Sequence, residues 1–324
     1  MVTALTPSPA TRSPARSRGG LGAPAVVVDG TWKRFGVTDV VVDLSFDIRP
    51  GEILGFLGPN GAGKTTTMRM ILDIIRPDRG EIRVFGAPPG EVDQSRTGYL
   101  PEDRGLYRDV PVVDTLAYFG ALRGLPTADA RARARRLLTD VGLGDALNKK
   151  GAELSRGMHQ KAQLVATIIN EPDLLIVDEP FQGLDPLNAT MLKNLLLEQR
   201  DRGAAVVMST HDMEDAQLLC DRIVLIDRGR RLLYGTVAEV RRMYSDDAVE
   251  VVGRNLPTDV RALRSAAHAM ASDGSVRYLL EPGASAQQLF RELAATSAEV
   301  ERFAVEAPNL AEIFVRAVAG DGAP

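Results

Sequence analysis

Residues 58 to 65 read Gly58-Pro59-Asn60-Gly61-Ala62-Gly63-Lys64-Thr65, which matches the pattern G-x-x-x-x-G-K-[ST]. The match lies directly after an apolar strand pattern and directly before a helical one. Its glycines allow consecutive backbone N–H groups to converge on phosphate oxygens at the positive end of the following helix. Lys64 would add a charge for the β- and γ-phosphates, and Thr65 a hydroxyl for Mg²⁺. Because chance gives such a match in about one chain of this length in 100, the sequence predicts a phosphate-binding loop rather than a glycine-rich turn.

The composition is that of an ordinary soluble globular protein. The chain has 324 residues, 39 Lys and Arg against 43 Asp and Glu, a net charge of −4 and 44% hydrophobic residues, which excludes collagen, coiled coil and general disorder. At about 150 residues per domain, the length predicts roughly two domains. The charge balance argues against general nucleic-acid binding, which needs a basic surface. Cys220 is the single cysteine, so we expect no intramolecular disulfide, a reduced compartment and a buried apolar role for this residue.

Residues 1–24 are predicted to be a disordered tail. They are rich in Pro, Ser, Ala and Gly, contain Arg12, Arg16 and Arg18 without an acidic residue, and have no apolar periodicity. Organelle transit peptides share an Arg- and Ser-rich, acid-poor composition, but this segment lacks their amphipathic pattern. It also lacks the apolar stretch of a secretory signal. No apolar run in the chain approaches the roughly 18 residues that cross a bilayer, so we do not expect the chain to span a membrane.

Residues 25–238 are predicted to form an α/β domain with a largely parallel sheet, because short strands rich in Val, Ile and Leu alternate with helical patterns. The predicted strands are 25–28, 52–57, 174–177, 204–208 and 222–226. Helices predicted at 113–122, 128–141 and 157–169 form a helical subdomain at about 100–170. Residues 239–324 are predicted to be a small C-terminal α+β accessory domain, with strands at 248–252, 276–280 and 300–305 and helices near 239–244 and at 286–294 and 310–318.

A second motif is the apolar run Leu174-Leu175-Ile176-Val177, which ends in Asp178-Glu179. A buried parallel strand with this pattern delivers its carboxylates to the carboxyl edge of the sheet, where a phosphate loop also lies. Asp178 would hold hydrated Mg²⁺, and Glu179 would polarise the water that attacks the γ-phosphate. A strand that simply ends in solvated acids is the competing interpretation, and the neighbouring phosphate loop disfavours it.

With these motifs the chain resembles the nucleotide-binding subunit of an ATP-binding-cassette (ABC) transporter. Leu154-Ser155-Arg156-Gly157-Met158 stands at the position of the family signature LSGGQ and opens a helix. Ser155 is a natural helix cap, so Ser155 and the N–H groups after it form a second anion site. In the family, this site closes on the γ-phosphate held by the opposite subunit. Arg156 and Met158 depart from the usual Gly and Gln.

The resemblance extends to four further positions. His211 follows the strand at 204–208, as the family's switch histidine does. Asp185, in Gly183-Leu184-Asp185-Pro186, matches the loop by which paired subunits sense each other, although a turn before a helix would look alike. Phe35 stands where the family has an aromatic residue that stacks on adenine; a core aromatic is the alternative. Glu102 replaces the usual Gln of the glutamine loop and could still approach Mg²⁺.

The resemblance thus implies a complete set of ATP and Mg²⁺ contacts. Catalytic roles are implied for Glu179, His211 and Lys64, and metal contacts for Thr65, Asp178 and Glu102. The implied nucleotide contacts are Phe35, Gly58, Pro59, Asn60, Gly61, Ala62, Gly63, Lys64, Thr65, Thr66, Ser155, Gly157 and Asp185.

The segments GYLPEDRGLY, LSRGMHQK and DEPFQGLDP are similar to a branch of bacterial ABC exporters that includes sodium-efflux ATPase subunits. The resemblance implies a homodimer, or a heterodimer with a related subunit, that closes on two Mg·ATP and drives integral-membrane permease subunits. It also implies a cytoplasmic chain, peripheral on the inner face of the membrane, with no nucleic-acid partner. The alternatives are a soluble ABC-type ATPase acting on ribosomes or nucleic acid, and a P-loop kinase. The transported substrate is not encoded in these motifs, because selectivity resides in the permease.

Overall fold

The computed structural model of the chain describes residues 23–101, 105–244, 248–272, 274–306 and 308–319. Residues 1–22 of the predicted tail lie outside the described residues. The first part of the chain contains, in order, β1 (Val26–Phe35), β2 (Thr38–Ile48), β3 (Ile53–Leu57), α1 (Lys64–Ile71), β4 (Arg79–Val84), β5 (Thr97–Leu100), α2 (Val112–Leu122), α3 (Thr127–Asp140), α4 (Arg156–Ile168), β6 (Leu174–Asp178), α5 (Pro186–Asp201), β7 (Ala205–Thr210), α6 (Met213–Leu219), β8 (Arg222–Asp227) and β9 (Arg230–Thr236). The remainder contains α7 (Val237–Met243), β10 (Ala248–Arg254), β11 (Ala266–Ser272), β12 (Ser275–Leu280), α8 (Ala286–Ala294), β13 (Glu299–Glu306) and α9 (Leu310–Ala319).

A six-stranded sheet in the order β5-β6-β7-β3-β8-β9 forms the centre of the α/β region. Its neighbours are parallel except for the antiparallel pair β8 and β9. β3, β6 and β7 are buried along their whole length, as expected of parallel strands that are covered on both faces. Parallel strands end at the same edge of a sheet, so Leu57, Asp178 and Thr210 are brought to one edge.

A second, antiparallel sheet has the order β2-β1-β4. It packs on the central sheet through a shared apolar core, in which the rings of Phe46 and Phe56 lie 5.3 Å apart. In this sheet only residues 25–28 were predicted as a strand, which include the first three residues of β1, and β2 was not predicted. β4 was missed because its only large apolar residues are Ile82 and Val84, which is too weak a pattern to identify a strand.

The helices predicted between residues 113 and 169 are present as α2, α3 and α4. They pack around the fully buried side chains of Leu116, Leu138 and Val165. In the parts of the chain that the structure describes, every helix is too short or too polar to cross a bilayer.

Cys220 is buried against the central sheet, as predicted. A Cβ placed on Gly55 of β3 would lie 2.7 Å from the Cys220 sulfur, so the thiol packs directly on the strand backbone. This burial raises the pKa of the Cys220 thiol, which keeps it protonated and unreactive.

The C-terminal region contains a four-stranded antiparallel sheet in the order β11-β12-β10-β13. Its own core is built around Tyr278, Val251 and Leu289, and α8 covers this face of the sheet. Burial raises the pKa of Tyr278 to about 12, and its hydroxyl donates to the Pro257 carbonyl at 2.9 Å. The arrangement confirms the predicted fold class, an α/β P-loop domain with a helical subdomain followed by a small α+β region.

The last helix, α9, leaves this small core and packs against the α/β region. Leu310 and Ile313 are buried in the same apolar cluster as Leu219 of α6, and the Leu310 N–H donates to the Gln217 side chain at 3.3 Å. Val240 of α7 belongs to the same cluster. The boundary predicted between residues 238 and 239 falls within α7, and its exact place remains a proposal.

Replacing Ile313 by Ala should destabilise the chain by about 2–4 kcal/mol, because it leaves a cavity between α9 and the central core. Urea-induced unfolding followed by circular dichroism measures this difference. Val315 lies on the same helix with 65% of its surface exposed, against 1% for Ile313, so Val315→Ala is the matched control and should change stability little. Equal effects from the two variants would show that α9 does not dock as described.

Candidate functional site

The loop at residues 58–63 connects β3 to α1 and requires glycine at two positions of close backbone approach. Gly63 caps α1 with φ 106°, and a Cβ there would lie 2.6 Å from the Val40 carbonyl oxygen. A Cβ at Gly58 would lie 2.3 Å from the Ile226 carbonyl oxygen. Both distances are shorter than any van der Waals contact, so β2 and β8 fix the curl of the loop.

The loop encloses a pocket of about 260 Å³. Most of the predicted phosphate-loop residues line it, together with both acids at the end of β6. The lining residues are Val40, Pro59, Asn60, Gly61, Gly63, Lys64, Thr65, Thr66, Asp178 and Glu179. Gly58 and Ala62 belong to the same loop but do not line the pocket.

Lys64 places a buried ammonium group at this pocket. Its Nζ donates to the carbonyl oxygens of Gly58 at 2.6 Å and Pro59 at 3.2 Å, and lies 3.8 Å from Oε1 of Glu179. Only 6% of the Lys64 surface is exposed. A cation held at this depth beside the N-terminus of α1 favours an anionic ligand.

Asp178 lies between two hydroxyl groups at the end of β6. Thr65 Oγ1 donates to its Oδ2 at 2.9 Å, and Ser209 Oγ donates to its Oδ1. Asp178 is almost fully buried, so these two bonds satisfy a carboxylate that would otherwise be costly to bury. A carboxylate and a hydroxyl side by side at a phosphate pocket fit Mg²⁺, which uses one or two protein oxygens and takes its other ligands from phosphate and water.

Glu179 is held in an unusual backbone conformation next to Asp178. Its φ is +47°, in the left-handed region that non-glycine residues rarely adopt. Its N–H donates to the carbonyl and the hydroxyl of Ser209 at 3.2 and 3.1 Å. Its Oε1 contacts His211 Nδ1 at 2.9 Å. The carboxylate therefore lies between Lys64 and a half-exposed imidazole, a geometry suited to a general base.

The signature residues lie outside this pocket. Ser155 caps α4, and its Oγ accepts from the Met158 N–H at 3.3 Å. Gly157 lies against α5, where a Cβ would come within 3.0 Å of Nδ2 of Asn188. In a single chain, neither Ser155 nor Gly157 lines the pocket around Lys64.

Asp185 is the N-cap of α5 and is also absent from the pocket lining. Its Oδ1 accepts from the Asn188 N–H at 3.0 Å. The backbone and side-chain hydrogen bonds from Asn188 hold the pKa of Asp185 below its ordinary value. The carboxylate therefore stays ionised to lower pH than that of an ordinary aspartate.

Phe35 ends β1 and is half exposed, so the core alternative for this residue is wrong. The Lys33 ammonium lies 5.5 Å from its ring centroid. Phe35 does not line the pocket itself, but Val40, which does, is on the adjoining strand β2. The remaining predicted ligand, Glu102, lies outside the described residues.

Two site residues were not singled out from the sequence. One is Ser209, whose signal was present in the Ser209-Thr210-His211 segment at the end of β7. The other is Gly229, in the turn between β8 and β9, where φ is +76° and a Cβ would lie 2.5 Å from the Val40 carbonyl oxygen. Its N–H donates to the Ala62 carbonyl at 3.0 Å, and its carbonyl accepts from the Val42 N–H at 2.9 Å. Gly229 therefore ties the phosphate loop to β2.

Comparison with known proteins gives a consistent result. The family model described as "ABC transporter" matches residues 41–182, and that described as "ATP-binding protein DrrA1-3-like, C-terminal domain" matches residues 235–318. An uncharacterised ABC transporter ATP-binding protein of Alkalihalophilus pseudofirmus is 37% identical, over 81% of this chain and 98% of the relative. Nod factor export ATP-binding protein I of Ralstonia nicotianae is 34% identical, over 92% of this chain and 95% of the relative. A solved ATP-binding subunit of an ABC transporter superposes with a TM-score of 0.64 at 32% identity, over 68% of this chain and 93% of that one.

Ser209→Ala should lower both the affinity for Mg²⁺ and the turnover. The substitution removes one hydrogen bond to the Asp178 carboxylate and one from the Glu179 N–H. Loss of such a supporting contact costs about 10- to 100-fold in metal affinity or activity. ATP hydrolysis measured across a Mg²⁺ titration tests this.

Ser265→Ala is the matched control for this measurement. Ser265 is also buried and donates to a carboxylate, Glu292, at 2.8 Å, but it lies in the C-terminal region. The Mg²⁺ dependence should be unchanged in that variant. The assigned role of Ser209 is wrong if both variants shift the Mg²⁺ dependence equally.

Proposed function

Because the chain belongs to the family of ABC transporter ATP-binding proteins, we propose that it is the ATP-hydrolysing subunit of a bacterial exporter. It dimerises around two Mg·ATP and drives separate permease subunits in the membrane. The observation that carries this proposal is that the two predicted phosphate-binding parts, the pocket and the helix start at Ser155, lie apart in a single chain. The pocket with Lys64, Asp178 and Glu179 is assembled, whereas the helix start at Ser155 lies outside it and is available to a second chain.

Each residue of the pocket has a definite task in this proposal. The N–H groups of the loop and the Lys64 ammonium bind the β- and γ-phosphates, and Thr65 and Asp178 hold Mg²⁺. The metal supplies charge neutralisation on the phosphate oxygens. Glu179 takes the proton of the attacking water, and His211 orients the Glu179 carboxylate from its other side.

The second chain completes the site. The N–H groups that follow Ser155 and Gly157 carry the positive end of the α4 dipole to the γ-phosphate bound by the partner. Asp185 contacts the partner beside this position, and Phe35 stacks on the adenine. Glu102 is proposed as a further ligand of Mg²⁺. Closure then depends on ATP, and hydrolysis releases the dimer.

An exposed aromatic cluster supports a membrane partner. The rings of Tyr107, Tyr118 and Phe119 lie 5.7–6.1 Å from one another, and Tyr107 and Tyr118 remain about half exposed. Leu122, one turn after Tyr118 on α2, has 64% of its surface exposed. Exposed apolar surface of this kind marks a contact site for another protein, and we assign it to the permease. The chain is then peripheral on the cytoplasmic face of the membrane.

The class of transporter is inferred from a relative whose name states export, Nod factor export ATP-binding protein I. We propose the export direction for this chain and assign the choice of cargo to the permease, because a shared fold does not specify the substrate.

Glu179→Gln should trap an ATP-bound dimer, since it leaves the nucleotide contacts intact and removes the base that ends the closed state. Size-exclusion chromatography with saturating Mg·ATP measures the shift from monomer to dimer. Glu198→Gln, an exposed site on α5, is the matched control and should give no trapped species.

Adding Ser155→Arg to the Glu179→Gln chain should return it to the monomer while its ATP binding persists, because the added side chain obstructs the contact with the partner's phosphate. A Glu179→Gln chain that stays monomeric in excess Mg·ATP would contradict the two-chain site.

A membrane pull-down tests the partner class. Tagged Glu179→Gln chain with Mg·ATP, added to detergent-solubilised native membranes, should recover a polytopic membrane protein. Replacing Tyr118 and Leu122 by Ser should reduce this recovery, while ATP-dependent dimerisation is unchanged. Recovery of ribosomes or nucleic acid without a membrane protein would favour the soluble ABC-type ATPase instead.

A further inference from the structure

Arg156 occupies an unexpected place at the start of the signature helix. It is the first residue of α4, directly after the cap Ser155. Positive charge in the first turn opposes the helix dipole, and this turn contains no acidic residue to offset it. A residue that breaks a local preference is expected to make a compensating contact elsewhere.

The compensating contact is with the loop that follows Glu179. The Arg156 guanidinium donates to the Gln182 carbonyl at 3.2 Å. It also fills the space over Gly183, where a Cβ would lie 2.3 Å from the guanidinium carbon. Gly183 has φ +69°, so both its conformation and its contact with Arg156 require glycine.

Two neighbouring contacts also join the beginning of α4 to the segment between Glu179 and α5. The Gln160 side chain, one turn further along α4, donates to the Pro180 carbonyl at 3.1 Å. Gly157 allows the helix start to approach Asn188, whose N–H bonds to Asp185. The first turn of α4 therefore lies along the whole loop from residue 180 to the beginning of α5.

This loop begins at the proposed general base. Glu179 is fixed by Ser209, Lys64 and His211, and its strained backbone leads directly into residues 180–185. The Gln182 N–H donates to the Glu179 carbonyl at 3.3 Å. A displacement of Glu179 when the γ-phosphate is lost would therefore reach Gln182 directly. Arg156 connects Gln182 to the start of α4, which in the proposed dimer contacts the nucleotide bound by the partner chain.

We propose that Arg156 is a positioning residue that couples the two ATP sites of the dimer. It ties the hydrolytic loop of one site to the signature helix that serves the other site, so the state of one nucleotide alters the contact made with the second. The inference rests on the proposed two-chain site.

The test is the ATP dependence of hydrolysis. The wild-type chain should hydrolyse ATP with positive cooperativity, and Arg156→Ala should lower the Hill coefficient to about 1 and turnover on the order of tenfold, the usual size of coupling between sites. ATP binding to the monomer should not change, because the pocket around Lys64 is untouched. Arg156→Lys should restore little, since an ammonium cannot cover Gly183 as a planar guanidinium does.

Two further variants separate coupling from a general structural effect. Gly183→Ala should reproduce the loss of cooperativity by displacing the guanidinium, and its effect should be smaller when Arg156 is already Ala. Arg131→Ala removes another exposed arginine, paired with Asp114 on the helical subdomain, and should leave the Hill coefficient unchanged.

The outcomes distinguish this inference from the proposed function. If the Glu179→Gln chain does not dimerise with Mg·ATP, the two-chain site itself fails. If Glu179→Gln/Arg156→Ala still dimerises and the Hill coefficient of Arg156→Ala equals that of the wild type, only the coupling role of Arg156 is overturned. A wild-type Hill coefficient of 1 in a chain that dimerises would overturn it as well.

Discussion

The buried carboxylate of Asp178 is the group on which the arrangement of the site depends. It ends β6, accepts from Thr65 at the start of α1 and accepts from Ser209 at the end of β7. A buried carboxylate must be fully hydrogen-bonded, because an unsatisfied one costs several kcal/mol. This requirement fixes the phosphate loop, the acidic strand end and the strand leading to His211 at one edge of the sheet.

The glycines of the loop impose a second constraint of the same kind. Gly63 and Gly229 both lie against the Val40 carbonyl, closer than any side chain would allow. The antiparallel sheet, through β2, and the turn after β8 thus approach the phosphate loop from two sides. The pocket around Lys64 and Glu179 is therefore shaped by backbone contacts between separate elements of one chain.

In the structure, the helix start at Ser155 lies apart from the pocket around Lys64, although the sequence motifs assign both to ATP. Ser155 and Lys64 both suit the phosphates of ATP, yet Ser155 does not line the pocket. The segment that joins them physically is the loop from Glu179 to Asp185, held to α4 by Arg156 and Gln160. In the proposed dimer this loop connects two nucleotides. The docking of α9 on α6 brings the C-terminal region onto the same core, through Leu310 and Ile313.

The sequence by itself determined the chemistry of the pocket and the class of the fold. The phosphate loop, Asp178, Glu179 and the capping residue Ser155 are local patterns, in which a glycine, a strand end or a helix start specifies its own geometry within a few residues. The parallel strands β3, β6, β7 and β8 and the helices α2, α3 and α4 were predicted for the same reason, since their apolar patterns are strong, whereas the 16-residue helix α5 was not predicted. β2, β4, β5, β9 and β11 were missed, and each forms an edge of its sheet. β4, β9 and β11 have few buried positions and so a weak pattern, and β5 has only four residues. Only the tertiary structure decided that Ser209 completes Asp178, that Gly229 supports the phosphate loop, that α9 returns to the central core and that Arg156 covers Gly183. Each of these contacts joins residues that are distant along the chain, and no periodicity records such a pairing because it exists only after the sheets and helices have packed.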